Sequence, residues 1–395
     1  MSHKEPNSAI DILRSMVALD SVNGAMTGIA DAEAKVGEYL AFAAKALGFA
    51  VRMLPVPGHA ANVLVTHEQG RDRPWILFDS HLDTVSVEGM SIDPFGAETR
   101  DGRMWGRGSC DTKASGATML WALRDYAASG AQPNNVGILY SVDEEVGMTG
   151  IRAFCENDLR TFGSAGGPLA GVVVGEPTRM AVVTAHNGVC RFRVRTSGRA
   201  AHAASPEAGR SAISDMVKVV SELESGYIPS LAARHDLTGR ARCSINVIRG
   251  GIASNIVPYS CEIEIDRRIV PGESQASVRE GFNEAMGAIG RRHPALEWKV
   301  EESFLVPPLS PRPDSPLYPA VRQALRRLSL PADPSGATYC THAGLLSAEG
   351  IPTLVIGPGD IAQAHTADEW IDLEELPRAV ALYVEIMRFD FRAGR

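Results

Sequence analysis

Trp75-Ile-Leu-Phe78-Asp79-Ser-His81-Leu-Asp83-Thr-Val85 is an unbroken apolar run that ends abruptly in carboxylates and an imidazole. Four large apolar residues bounded by polar ones suit a strand buried on both faces, as in a parallel sheet covered by helices. Asn62-Val-Leu-Val-Thr66, Val136-Gly-Ile-Leu-Tyr140 and Gly171-Val-Val-Val174 have the same character. Apolar residues recur at helical spacing over 7–19, 31–47 (with Gly48 as a stop), 113–129 and 149–158. A strand at Thr353-Leu-Val-Ile356 and a helix over 373–387 close the chain. This alternation predicts an α/β fold with a mainly parallel sheet.

The middle reads differently. Cys190-Arg-Phe-Arg-Val-Arg-Thr196 alternates strictly, as a half-buried strand with one wet face does. A helix over 207–223, strands over 242–248 and 259–266, a helix over 274–289 and a strand over 296–301 follow. The order βαββαβ is that of a ferredoxin-like sandwich. Residues 186–302 hold 16 basic and 14 acidic side chains, net +2, against −10 for the remainder. The expected organisation is therefore a catalytic α/β domain of 1–185 and 303–395, interrupted by a small domain at 186–302. No repeat of solenoid period is present.

At 395 residues the chain is long enough for two or three domains and for a core that needs no disulfide. With 45% hydrophobic and 22% charged residues, disorder, collagen and coiled coil are excluded. A net charge of −8 argues against nucleic acid and anionic membranes as partners. The six cysteines (110, 155, 190, 243, 261, 340) form no CxxC pair, which suggests neither a zinc ribbon nor a disulfide framework. Reduced thiols in a cytoplasm are the expectation. The N-terminus lacks the apolar core of a signal peptide, and no 18-residue apolar run occurs.

Five strand-end clusters carry the chemistry, where open α/β sheets place their sites. They are Asp79-Ser-His81-Leu-Asp83, Gly106-Arg-Gly108-Ser-Cys110-Asp111-Thr-Lys113, Asp143-Glu144-Glu145-Val-Gly147, Gly175-Glu176-Pro-Thr178 and Gln363-Ala-His365-Thr-Ala-Asp-Glu369. His81 could ligate a metal while Asp83 accepts its second N–H, fixing the tautomer. Singly, each has a plainer reading: a surface His–Asp pair, a solvated helix start, a turn. Gly106-Arg-Gly108 has neither a dinucleotide fingerprint nor a P-loop around it, and no Gly-x-Ser-x-Gly or His-Glu-x-x-His occurs. Cys110 could be a nucleophile, but no histidine supports it in the pattern. Together the clusters favour a carboxylate-rich metal site of the kind two-metal hydrolases use.

The motifs His81-x-Asp83, Gly106-Arg-Gly-x-x-Asp111-x-Lys113, Glu144-Glu145, Gly175-Glu-Pro-Thr and Ala364-His365 resemble, in order, those of the zinc amidohydrolases and peptidases. That family includes acetylornithine deacetylase, succinyl-diaminopimelate desuccinylase, aminoacylase and carboxypeptidase G. The resemblance implies a catalytic domain with an inserted lid through which subunits pair as a homodimer. It implies two Zn²⁺ (Co²⁺ or Mn²⁺ as substitutes), with Asp111 bridging, His81 and Glu176 on one ion, and Glu145 and His365 on the other. Glu144 would be the general base and Asp83 the residue that orients a ligand. In the lid, His202 would stabilise an oxyanion, Asn255 would contact substrate and Arg268 would meet its carboxylate. His186, His235 and His293 have no such support. One stretch departs from the pattern: Gly336-Ala-Thr-Tyr339-Cys340-Thr341-His342 stands where relatives often carry Gly-Thr-Asp or Gly-Thr-Glu. The acid that would greet an ornithine amine is missing. The expected activity is amide hydrolysis of a small N-acyl amino acid, a dipeptidase, carboxypeptidase or N-carbamoyl hydrolase being the alternative. A binding protein that has lost catalysis is more remote, since the whole residue set is intact.

Overall fold

The computed structural model describes residues 4–162 and 167–392. It divides into two compact units: Met1–Thr184 with Pro311–Ser335 and Thr341–Arg395, and Ala185–Ser310 with Gly336–Cys340. The second unit thus runs past the expected end at 302 and takes in five residues of the departing stretch.

In the first unit the strands run Ala50–Leu54, Asn62–His67, Asn135–Ser141, Trp75–His81, Leu169–Val174 and Thr353–Val355 across one sheet. The last four are mutually parallel. The first two, and Val183–His186 beyond Thr353–Val355, pair antiparallel, so the parallel character belongs to the centre of the sheet. Ala50–Leu54 shows no apolar run because it is an edge strand with mostly exposed side chains. Both Trp75–His81 and Asn135–Ser141 are buried at every position, which explains their unbroken apolar character. Ala9–Val17, Lys113–Ala127 and Glu375–Arg388 pack together as covering helices, within one continuous apolar core.

Register does the positioning. His81 pairs with Ser141, and Asp79 with both Leu139 and Val174. The carboxyl ends of three strands therefore lie side by side, and the loops that leave them start from one edge.

The second unit holds an antiparallel sheet in the order Arg242–Gly250, Ser260–Ile269, Gly188–Ser197, Glu297–Val306. With helices Ala212–Glu222 and Gln275–Arg292 this is the ferredoxin-like order. The first helix starts at Ala212, not 207. Pro206–Ala208 is a separate short 3₁₀ turn, and Ser211 caps the helix by accepting from the Ser214 N–H. Odd-numbered residues of Ser260–Ile269 are buried against the helices and even-numbered ones face outward. The core centres on Phe192 stacked on Phe282, ring centroids 4.1 Å apart and planes 10° from parallel. Phe282→Ala should destabilise this unit by about 3–5 kcal/mol through lost burial and a cavity. Chemical denaturation followed at Trp298, which packs on the same core, should report a lowered midpoint.

Candidate metal centre

The strand-edge loops bring four of the five expected ligands into direct contact. His81 Nε2 lies 3.1 Å from Asp111 Oδ1, and His365 Nε2 lies 3.4 Å from Asp111 Oδ2. His365 Nε2 is also 3.2 Å from Glu145 Oε2. The two oxygens of Asp111 thus face different imidazoles, the arrangement a bridging carboxylate needs. One ligand atom each from His81, Asp111 and Glu145 lie within 4.8 Å of one another. Glu176 is buried beside them, within electrostatic reach of Asp111, Glu144 and Glu145.

Electrostatics say what the pocket lacks. Burial, then the Asp111, Glu144 and Glu145 charges, push the Glu176 carboxyl well above its usual range. Burial, then Glu145, Asp83 and Asp111, do the same to Glu144 against the pull of His81. Glu145 is raised chiefly by burial. Burial also works against an ionised Asp111, yet His365 and His81 outweigh it and draw its pKa down. Asp111 and Glu145 together lift the His365 imidazole to about 10. Without added positive charge, the imidazoles are drawn to hold protons among crowded carboxylates. Divalent cations would relieve the same repulsion and free the ring nitrogens. Two imidazoles and three carboxylates without a thiolate suit zinc and also harder ions. The residues fit a metal.

Asp83 plays a wider part than orienting His81. His81 Nδ1 is 2.9 Å from the Asp83 backbone oxygen and 3.5 Å from its carboxylate. The carboxylate instead accepts the N–H groups of Glu144 and Glu145, each at 3.0 Å, and the Asn23 amide at 2.7 Å. Burial opposes its charge, but His81, Asn23 and the Glu144 N–H lower its pKa. One buried carboxylate therefore holds the backbone of the base candidate and of a ligand.

Glu369 escapes sequence reasoning as a functional residue, though it stands four positions after His365. It is 1% exposed. Its Oε1 accepts from the N–H of Cys110 and of Asp111 at 2.9 and 3.0 Å, and Oε2 from the N–H of Gly108 and from Arg107 at 3.0 and 2.7 Å. Arg107 in turn donates to the Ser86 and Thr366 carbonyls. One ion pair thus ties the Asp111 loop to the segments following His81 and His365. Asn23, whose amide bridges Asp83 and Asp143, lies in a loop some sixty residues upstream, and no local pattern could have found it. Lys113 ends its motif without reaching the site: it is buried, and its Nζ donates to the Met16 and Leu19 carbonyls. Cys110 is buried too, its thiol pushed well up by burial and by Glu369 and Asp111, the opposite of an activated nucleophile.

The other expected residues belong to the second unit. His202 forms a bridge with Ile256, and the Ala203 N–H donates to the Asn255 carbonyl at 2.9 Å, so His202 and Asn255 are neighbours on exposed loops. The Ala204 N–H donates to His202 Nδ1, which leaves the proton of a neutral ring on Nε2. Arg268 lies at the far end of the sheet, its Nε 2.7 Å from Asp266 Oδ1. His186 is buried, with a pKa lowered by burial to about 4. His293 pairs with Glu222 and His235 Nδ1 accepts from Leu237, both local contacts.

Residues 77–388 match the family described as Peptidase family M20/M25/M40. An acetylornithine deacetylase of Erwinia tasmaniensis is 29% identical over 384 residues, 94% of either chain. The fold is shared with an M20 family metallo-carboxypeptidase from Sulfolobus solfataricus, with a TM-score of 0.79, 16% identity and coverage of 98% and 100%. It is also shared with a dinuclear metal binding peptidase of the same family from Bacillus subtilis, with a TM-score of 0.68, 15% identity and 96% coverage of each chain.

Two outcomes follow from the geometry. Glu369→Gln should lower metal affinity by about 10–100-fold, as loss of an orienting partner does, and should lower unfolding free energy by about 3–5 kcal/mol, because Arg107 is left buried without its counter-charge. Metal titration and denaturant unfolding check the two effects separately. Glu33 is 1% exposed, and no side chain among the described residues pairs with its carboxylate. Burial and then Asp83 raise its pKa to about 7. Between the unfolded value near 4.5 and about 7 the native state keeps a proton that the unfolded state has lost, so stability falls as pH rises through that window. Glu33→Gln should therefore stabilise the metal-free protein by up to about 3 kcal/mol at pH 8 and much less at pH 4.5, read by unfolding at both pH values.

Proposed function

Because the chain belongs to Peptidase family M20/M25/M40, we propose that this metallohydrolase cleaves the amide bond of a small N-acyl amino acid, in the manner of a deacetylase or desuccinylase. The observation that carries the reading is Glu144: half-buried beside Glu145, with its backbone N–H held by Asp83, yet outside the ligand contacts. Its carboxylate takes a proton from the attacking water and hands it to the departing amine, the work of a general base and then acid. His81, Asp111, Glu145, Glu176 and His365 would hold two Zn²⁺, or Co²⁺ or Mn²⁺ in their place, which supply Lewis acidity to the carbonyl and acidify the water. His202, with its proton on Nε2, donates to the developing oxyanion. Arg268 receives the substrate carboxylate through its planar fork and Asn255 contacts the substrate. The carboxypeptidase with a TM-score of 0.79 favours a second reading, hydrolysis of a short peptide, with the same residues in the same roles.

A homodimer is part of the proposal. Arg268 pairs with Arg242 at one end of the sheet, and Cys261 with Gly250 at the other, where the loop bearing Asn255 begins. Seven strand residues span about 23 Å. One small substrate does not bridge that distance, which supports a site that takes Arg268 from one chain and His202 from its partner. Ile213, Val217, Ile248, Ile252 and Tyr259 are exposed large apolar residues of the second unit, a composition suited to subunit contact. No described helix is long and apolar enough to cross a membrane, and six free cysteines suit a reducing cytoplasm.

Glu144→Ala should lower kcat on N-acetyl amino acids by about 10²–10⁴-fold at unchanged metal content; equal turnover by the parent and the variant would remove the assignment. Asp111→Ala should strip both metals, Glu176→Ala mainly one, as elemental analysis reads. His202→Ala should cost about 10²–10³ in kcat. Mixing it with Glu144→Ala subunits should restore part of the activity in hybrid dimers, and no recovery after verified exchange would place the histidine within its own chain.

A further inference from the structure

The outward face of the second unit's sheet is a ladder of charge. Asp266 lies opposite Arg191, Glu264 opposite Arg193 and Glu262 opposite Arg195. Six basic side chains on this face, Arg191, Arg193, Arg195, Arg249, Arg268 and Lys299, each have an acid partner within 4 Å. Arg242 has none among the described residues. Its register partner across the antiparallel pair is Arg268. Like charges directly opposite are destabilising, with Cβ atoms about 4.5–5.5 Å apart, so two guanidinium groups share one spot on an otherwise balanced face.

That spot borders an open cavity of about 600 Å³, lined by Arg242, Arg268, Asp266, Ser244, Asn246 and Tyr339 among others. Among the described residues Asp266 is the sole carboxylate of its lining, and its two oxygens are engaged by Arg268 at 2.7 Å and Arg191 at 3.3 Å. A substrate amine would find no free acid here. An anion would find two forks, one of them without any other partner.

We propose that this cavity selects a dicarboxylate: Arg268 takes one carboxylate of an N-acyl amino acid and Arg242 the second. The inference rests on the hydrolase reading above and narrows its substrate to a dianion. The second carboxylate sits either on the amino-acid side chain or on the acyl group. A cationic side chain such as that of N-acetylornithine is rejected, since it would meet Arg242 with no acid to hold it.

Four compounds separate these possibilities with zinc-loaded enzyme: N-acetyl-L-alanine, N-acetyl-L-ornithine, N-acetyl-L-glutamate and N-succinyl-L-alanine. The parent should favour one of the last two over N-acetyl-L-alanine by about tenfold or more in kcat/KM, the scale of one charge-assisted hydrogen bond. The favoured compound locates the second carboxylate. Arg242→Ala should erase that preference through KM while leaving N-acetyl-L-alanine within about twofold, and Arg242→Lys should keep part of it. Arg242→Glu should turn the preference toward N-acetyl-L-ornithine. Arg242 is exposed on an edge strand, and circular dichroism of each variant verifies folding. No preference for either dianion, or an equal loss on all four compounds in Arg242→Ala, overturns the proposal. If nothing is hydrolysed, the N-acyl amino acid reading fails by itself. Calorimetric titration then still decides the cavity: N-acetyl-L-glutamate or N-succinyl-L-alanine must bind more tightly than N-acetyl-L-alanine, by a margin that Arg242→Ala removes. Equal binding overturns it.

Discussion

Four carboxylates, Asp111, Glu144, Glu145 and Glu176, are crowded into one pocket that shields them from much of the solvent, Asp111 and Glu176 buried and Glu144 and Glu145 half-buried. Each raises the cost of ionising its neighbours, and burial raises it further. A fold that holds such a set together must hold it rigidly, because the groups would otherwise move apart or take up protons. Much of the first unit serves that restraint. Asp83 clamps the Glu144–Glu145 backbone, Asn23 ties Asp83 to Asp143, and Glu369 gathers three backbone donors of the Asp111 loop.

The restraints are themselves charges held by backbone N–H groups, and that choice has a consequence. A carboxylate that accepts several N–H bonds stays ionised while buried, so it can add negative potential to the pocket without competing for the metals. Asp83 is drawn down chiefly by His81, with the Asn23 amide and the Glu144 N–H adding to it, whereas burial keeps Glu369 raised despite its N–H donors. At Glu33 burial outweighs the N–H groups of Glu33 and Asp143 and drives the pKa to about 7. Metal ions held by this set would couple binding to folding through electrostatics, since they would lower the penalty on every acid around them.

The second unit follows a different logic. One face of its sheet buries an apolar core around Phe192 and Phe282, while the other is paired charge by charge across the strands. Such pairing adds little stability at an exposed surface, but it makes a local imbalance legible. Where Arg242 faces Arg268, the imbalance is positive and borders a cavity, and it carries information about the ligand that the balanced pairs do not.

Elements whose burial is uniform were readable in the chain alone. Trp75–His81 and Asn135–Ser141 are buried throughout, so their apolar runs announce them, and the alternation of Gly188–Ser197 reports a sheet with one wet face. The clusters that follow those strands were equally visible, because a parallel sheet delivers successive loops to one edge. Local sequence could not reveal the antiparallel flanks of the large sheet, the late start of the Ala212–Glu222 helix, or the parts of Asn23 and Glu369. Edge strands have no buried face to impose a pattern, and a side chain that grips a carboxylate sixty residues away, or backbone about two hundred and sixty away, leaves no periodic trace. The residue types suited to the chemistry were determined by the sequence; which carboxylates lie beside the imidazoles, which anchor the loops, and which arginine stands unpaired among the described residues were decided only when register and packing set the distances between them.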